Sequence, residues 1–478
     1  MDRADSSPAR QPRATIAYRL VRAVIRWLLW LYYRRIDVVG RERIPSAGGV
    51  IVAANHHNSV VDAMLVIAIV PRAVTVLANA PLFRHPLIGP LLHMLGAVPV
   101  HRRLEAGDDP RKNEAMFTAA VDALRAGGVI LIFPEGRTQP QPILLPLRTG
   151  AARMALGAET APGGSGLVTL LPIGIVFHDP GTFRLASVQL TIGTAVATAD
   201  LVSAYRERPE EAVRAITARL AEAIGARIVE AEDHYTLGLL SVLERAWWEE
   251  AARQGEPGLM SGGSAEQALA WKQRVMRAAR YLSEREPRRV AELRRSIERY
   301  RVNLDEIGIT SEQIGQRYTV WLVLSYVATN GLWLMFGLPL ACWGIACHTL
   351  PYWATGQIVP RLGRTLEEEA TDKMAVGLVV YPLLWVLEGW LVWRLAGLVV
   401  LVAFGLLLVP SGCLALVWRE RLGRVGRQAR AFFWFLADRH LHRRLLDERR
   451  ALVEQLRALA DRMPPEERGL SPSTRDAG

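Results

Sequence analysis

The rhythm of hydrophobic and polar positions changes several times along the 478 residues, and each change marks a different kind of structure. Residues 1–13 are polar and contain Pro and Arg, a composition expected to be disordered. Residues 14–36 mix aliphatic and aromatic side chains with Arg19, Arg22, Arg26, Arg34 and Arg35. The first three arginines fall three and four apart and share one helical face. That pattern predicts an amphipathic helix lying at a membrane interface; the competing reading is an ordinary amphipathic core helix. Residues 37–200 alternate β-rich runs with helical stretches. Gly49–Ala54, 74–78, Val98–Val100, 129–133 and 168–176 read as buried strands, and 60–70, 112–126 and 148–158 as helices between them. Such alternation predicts an α/β domain, a mixed, largely parallel sheet with flanking helices. Its ligands are expected at the carboxyl ends of the strands.

Residues 201–316 are charged, rich in Ala, Leu, Glu and Arg, and helical in period. Residues 317–418 are the hydrophobic membrane segments: 318–347 has no charged residue, and 374–393 and 395–418 are uncharged except for Glu388. Each run is long enough to span a bilayer. Residues 419–478 form a basic tail whose arginines are dense up to about position 450, which the positive-inside rule assigns to the cytoplasm. No cleavable signal peptide is visible, so the α/β domain is expected on the same side. Two cytoplasmic ends require an even number of crossings, so one of the three apolar runs is expected to be re-entrant, in-plane or a tight hairpin.

Composition narrows the class. The formal net charge is +11, supplied mostly by Arg, which fits anionic lipid, a phosphorylated substrate or nucleic acid. The apolar segments favour lipid, and no basic stripe interleaved with aromatics points to nucleic acid. The three cysteines, Cys342, Cys347 and Cys413, lie in or beside apolar runs without metal-ligand spacing, so neither a zinc site nor a disulfide framework is expected. GxSxG, HExxH and P-loop motifs are absent, which disfavours the common hydrolases.

Chemistry concentrates at three predicted strand ends. The first carries Asn55, His56, His57, Asn58 and, after Ser59-Val60-Val61, Asp62. A neutral imidazole takes a proton from an attacking alcohol, and a carboxylate on its other nitrogen fixes the tautomer. His57 and Asp62 would stand about 140° apart on one continuous helix. They meet only if the histidine lies in the turn before the helix. Ser59-x-x-Asp62 also matches a capping box, which would make Asp62 a helix cap. The second end carries His101, Arg102 and Arg103. The third is Phe133-Pro134-Glu135-Gly136-Arg137-Thr138. Glycine allows close backbone approach to a phosphate, and arginine offers bidentate donors for it. Arg102 and Arg137 on neighbouring strand ends would form a phosphate clamp, with Glu135 positioning the clamp or a hydroxyl. A fourth element, Leu170-Leu171-Pro172-Ile173-Gly174, reads as structural.

In this order the motifs resemble those of the glycerolipid acyltransferase superfamily, the bacterial 1-acylglycerol-3-phosphate and glycerol-3-phosphate O-acyltransferases of HX4D type. The resemblance covers roughly residues 36–200. It implies an acyltransferase domain, expected to be integral to the cell membrane, with His57 as general base and Asp62 orienting it. Arg102, Glu135, Gly136 and Arg137 then bind the acceptor phosphate. It implies acyl transfer from acyl-CoA or acyl carrier protein to glycerol 3-phosphate or 1-acylglycerol 3-phosphate in phospholipid biosynthesis, without metal or cofactor. Membrane lipids are the other partner. Two departures stand. A common branch pattern, NHPNS…D, aligns its histidine with His56, whereas spacing favours His57; and EGRT replaces the more frequent EGTRS. The alternatives are a lysophospholipid acyltransferase, or a non-catalytic lipid-binding scaffold on the same fold.

Overall fold

The computed structural model describes residues 15–84, 88–100, 110–161, 168–178, 183–184, 186–255, 264–315, 320–362 and 366–464. Arg102, with its neighbours His101 and Arg103, falls outside them, as do residues 1–13 and the last part of the tail. The chain divides into two units, 1–234 with 364–375, and 235–363 with 376–478.

The first unit is built on a seven-stranded sheet of order β1-β7-β6-β2-β5-β3-β4. Its strands are β1 (Arg35–Val39), β2 (Gly49–Ala54), β3 (Val74–Asn79), β4 (Val98–Val100), β5 (Val129–Ile132), β6 (Val168–His178) and β7 (Ser187–Ile192). β6, β2, β5, β3 and β4 run parallel; β7 pairs antiparallel with β6 and parallel with β1. The sheet is therefore mixed and largely parallel, as its alternating pattern predicts. Helices α1 (Ile16–Tyr32), α2 (Ser59–Ile69), α3 (Ile88–Met94), α4 (Pro110–Arg125) and α5 (Gly150–Thr160) flank it, followed by α6 (Val202–Glu207) and α7 (Pro209–Gly225).

β2 shows why its residues form a central strand. Val50, Val52 and Ala54 face one apolar layer with α1 and α2, while Ile51 and Ala53 face the other with α4, α5 and α7. Successive side chains alternate across the sheet, so a strand covered on both faces must be apolar throughout. All six residues of β2 are buried. The domain also extends beyond its expected limit at 200. Ala212, Val213, Ile216, Leu220 and Ile224 of α7 lie in the second apolar layer, so this helix completes the α/β unit and does not belong with the charged region.

The expected interfacial helix is shorter than its apolar stretch. Thr15 caps α1 by accepting the Tyr18 N–H at 3.1 Å, and the chain leaves the helix at Tyr33 to enter β1. α1 has two apolar faces. Tyr18, Val21, Ile25, Leu29 and Tyr32 are buried in the core, whereas Ile16, Leu20 (62% exposed), Val24, Trp27 and Trp30 are exposed. Arg22 is not free for headgroups. Its guanidinium donates to the carbonyls of Ala68, Val70 and Pro71, closing the end of α2.

The second unit is helical: α8 (His234–Arg253), α9 (Ala265–Arg285), α10 (Pro287–Ile307), α11 (Ser311–Ile314), α12 (Val320–Arg361), α13 (Leu366–Ala437) and α14 (Arg439–Ala460). The ends of α8 and α13 belong to the first unit. α12 and α13 are long and apolar enough to cross a membrane. Gly397, at φ 82° and ψ −178°, breaks the helical conformation inside α13. The chain turns back there: a Cβ on Gly389 would lie 3.3 Å from Leu401, twelve positions on, a separation of about 18 Å in an unbroken helix. α14, expected within a basic tail, packs through Leu445, Leu452, Val453 and Leu456. Its buried Arg449 donates to Glu249, which also accepts from Ser311.

Candidate active site

Two of the three motifs converge on neighbouring strand ends; the second lies outside the described residues. Asn55–Asn58 follow β2, Phe133–Arg137 follow β5, and β2 and β5 are hydrogen-bonded neighbours. Asn55 fixes the first exit: its side chain donates to Ile175 O at 2.8 Å and accepts Ile175 N–H at 2.7 Å, locking the end of β2 to β6. The chain then turns sharply into α2, with Ser59 at φ 43°, a left-handed value that is strained for a residue with a side chain.

That turn brings His56, not His57, to Asp62. His56 Nδ1 lies 2.9 Å from Asp62 Oδ2; the same oxygen accepts the backbone N–H of His57 and of Asn58, each at 2.8 Å. The preference for His57 on HX4D spacing is corrected by this geometry, because the fourth-residue rule assumed a turn one residue later. The His57 ring points elsewhere, its Nδ1 3.3 Å from Gln139 O. Burial lowers the His57 imidazole below its ordinary value, with nearby Asp62 opposing the shift, so the ring is held neutral and donates to that carbonyl. Asp62 does not form the Ser59 capping box either. Asn58 is the cap residue of α2, and Asp62, fully buried, reaches back past it.

His56 is held on four sides. Its ring stacks on Phe133 at 4.0 Å with an interplanar angle of 11°, its N–H donates to Glu135 Oε1 at 2.7 Å, its C=O accepts the Gln139 N–H at 3.2 Å, and Asp62 takes Nδ1. The side chain is 14% exposed, and with Nδ1 occupied the nitrogen left for chemistry is Nε2.

Glu135 has a structural task besides the expected contact with substrate. It is 3% exposed, and its second oxygen accepts the Leu145 N–H at 3.0 Å. The carboxyl therefore staples the β5 exit loop, the base and the 139–145 loop together. Burial pushes it up to about 7, the backbone donors only partly offsetting this. The folded protein thus binds a proton here that the unfolded chain releases near 4.5, and this contribution to stability declines as pH rises from about 4.5 to 7. Thermal unfolding in detergent tests this: the advantage of the wild type over Glu135→Gln should shrink between pH 5 and pH 7.5. An advantage that grows with pH would show the carboxyl to be ionised throughout.

Gly136 adopts φ 72°, as a glycine at a close approach would, and Arg137 is exposed at the rim. Three contributors escaped the sequence reading. Asn55 was noticed only as part of a motif. Tyr33, whose hydroxyl accepts from Asn58 Nδ2 at 3.3 Å, looked like one more aromatic of the first helix; burial holds its phenol well above the ordinary value. Arg148, in the PLRTG stretch, lies against Gly136. Among the described residues no group of His, Cys, Asp and Glu is arranged to hold a metal.

Residues 35–176, which cover the site and the sheet from β1 into β6, match the Acyltransferase family model. The chain is 25% identical over 210 residues to glycerol-3-phosphate O-acyltransferase 2 of Saccharomyces cerevisiae, covering 44% of this chain and 27% of that protein. It is 30% identical over 181 residues to a 1-acyl-sn-glycerol-3-phosphate acyltransferase of Borreliella burgdorferi, covering 38% of this chain and 66% of that one. The crystal structure of the 1-acyl-sn-glycerophosphate acyltransferase of Thermotoga maritima overlaps 44% of this chain and 80% of its own at 22% identity and a TM-score of 0.31, too slight a likeness to bear on the fold. The α/β unit is thus an acyltransferase domain. These matches support the glycerolipid acyltransferase superfamily for this domain, and the chain spans 27% of the length of the first of these relatives.

Proposed function

We propose that this protein is a membrane-bound O-acyltransferase that moves a fatty acyl group from acyl-CoA or acyl carrier protein to glycerol 3-phosphate or 1-acylglycerol 3-phosphate. The observation that carries the reading is the ring-to-carboxylate pair of His56 and Asp62 at the carboxyl ends of the central strands. His56 Nε2 takes the acceptor's hydroxyl proton as its oxygen attacks the thioester carbonyl carbon. Asp62 stabilises the imidazolium that forms. The carbon–sulfur bond then breaks, and the imidazolium returns the proton to the departing thiolate. The step balances without metal or redox cofactor. Arg137, with Arg102 from outside the described residues, binds the acceptor's phosphate.

The membrane is where both the acyl product and the chain belong. The exposed apolar face of α1 lies opposite its core face, with Arg19 and Arg26 at the border, a placement suited to the headgroup boundary. α12 and α13 supply the apolar length for integral attachment. The arginines from 419 onward support a cytoplasmic position for the catalytic unit.

Thiol release from a long-chain acyl-CoA, in membranes of overproducing cells, tests the function. Glycerol 3-phosphate, 1-acylglycerol 3-phosphate and a lysophospholipid are compared as acceptors. Release that depends on one of the first two and vanishes in His56→Ala is the expected result. Dependence on the lysophospholipid alone would move the protein to lipid remodelling; no release from acyl-CoA or acyl carrier protein would leave the scaffold reading.

A further inference from the structure

A second cation, Arg148, lies against the β5 exit loop. The Arg148 N–H donates to Pro134 O at 2.7 Å, which brings the residue back beside the loop. Its side chain lies across Gly136: a Cβ there would come within 2.5 Å of Arg148 Nε and 2.6 Å of Cδ. Only the missing side chain at 136 leaves it that room. Arg148 and Arg137 are both exposed, and neither forms a hydrogen bond or ion pair through its guanidinium among the described residues. Glu135, which feels the charge of Arg137, has both oxygens occupied by backbone N–H groups. A guanidinium laid on residue 136 adds a second cation to the loop that carries Arg137, and such a pair suits an anion.

We infer that Arg148 is a further arm of the site for the acceptor's phosphate monoester, beside Arg137, and that Gly136 is required to let it lie there. The inference rests on the acyltransferase reading above and names a further residue that sets its preference for phosphorylated acceptors. Two guanidinium forks suit a terminal phosphate dianion, which offers three oxygens to donors on two sides.

The test is steady-state kinetics of the full-length protein in membranes, with the phosphorylated acceptor the wild type uses best. Arg148→Gln should raise the acceptor KM about ten- to a hundredfold, the effect of losing a charge-assisted contact. kcat should stay within about threefold and the donor KM unchanged, since the contact is made equally in ground and transition states. Inhibition by inorganic phosphate, competitive with the acceptor, should weaken in parallel, a change that general loosening of the fold would not produce selectively. Arg148→Lys should recover part of the affinity. Gly136→Ala, by pushing the side chain aside, should resemble Arg148→Gln, and combining the two should add little; if it fails to fold, Arg148→Gln alone decides. An unchanged acceptor KM in an active Arg148→Gln enzyme overturns this inference and leaves the acyltransferase reading intact. A raised donor KM instead assigns Arg148 to the thioester carrier. A wild type with no turnover on any phosphorylated acceptor overturns both.

Discussion

Replacing His56 with Ala should lower turnover by about two to four orders of magnitude, the usual contribution of a positioned general base, while His57→Ala keeps most of it. The two histidines are adjacent and of one chemical type, and spacing favours His57 where the geometry favours His56, so the pair is a direct test of the geometry. His56 presents a ring whose Nδ1 is taken by Asp62 and whose face is fixed by Phe133. His57 is a buried donor to Gln139 O, and its loss should cost about 1 kcal/mol of stability. Rates per folded molecule, measured by single-turnover acyl transfer, separate the two effects. An active His56→Ala beside an inactive His57→Ala would reverse the assignment; two active variants would end the mechanism.

The second large effect is expected at Asp62. One oxygen of this buried carboxylate gathers the His56 ring and two backbone N–H groups, so charge and shape serve different ends. Asp62→Asn retains an oxygen that can accept all three and removes the charge facing the imidazolium. Turnover should fall by at least about a hundredfold, as it does when the orienting acid of a histidine pair is neutralised, with only a small loss of stability. Asp62→Ala removes the acceptor as well. Two buried N–H groups are then unpaired at about 1–3 kcal/mol each, and the melting temperature should drop together with activity. If Asp62→Asn turns over normally, the carboxylate is a turn-former alone.

The parts of this protein that sequence exposes are those with local causes. The central strands are continuous apolar runs because both faces are covered, and Val50–Ala54 or Val129–Ile132 can be read as such directly. β1 and β7 were not visible. Arg35-Ile-Asp-Val-Val and Ser187-Val-Gln-Leu-Thr-Ile carry polar residues because the sheet's edge and next-to-edge strands are not enclosed on every side. At the site, residue types and motif order were legible, but the choice between His56 and His57 was not. The turn that decides it is held by Ile175, 120 positions from Asn55, and by Glu135, 79 positions from His56. The structural task of Glu135 was hidden for a similar reason: its backbone partners, His56 and Leu145, lie 79 and 10 positions away. The apolar helices were legible by length, whereas the turn at Gly397 shows only as one glycine among many.

The segment 364–375 belongs to the catalytic unit although it lies between two apolar helices, and within it Ala370 and Met374 are buried in the same apolar layer as α1, α2 and β2. A ribosome making this chain therefore finishes the catalytic fold only after the whole of α12 has been synthesised. Residues 1–234 released alone would show the solvent a bare patch where Met374 sits, a side chain whose burial is worth about 1.5–3 kcal/mol. Order of manufacture thus ties completion of the enzyme to delivery of its first long apolar helix, and a shortened catalytic fragment is the wrong starting point for its biochemistry.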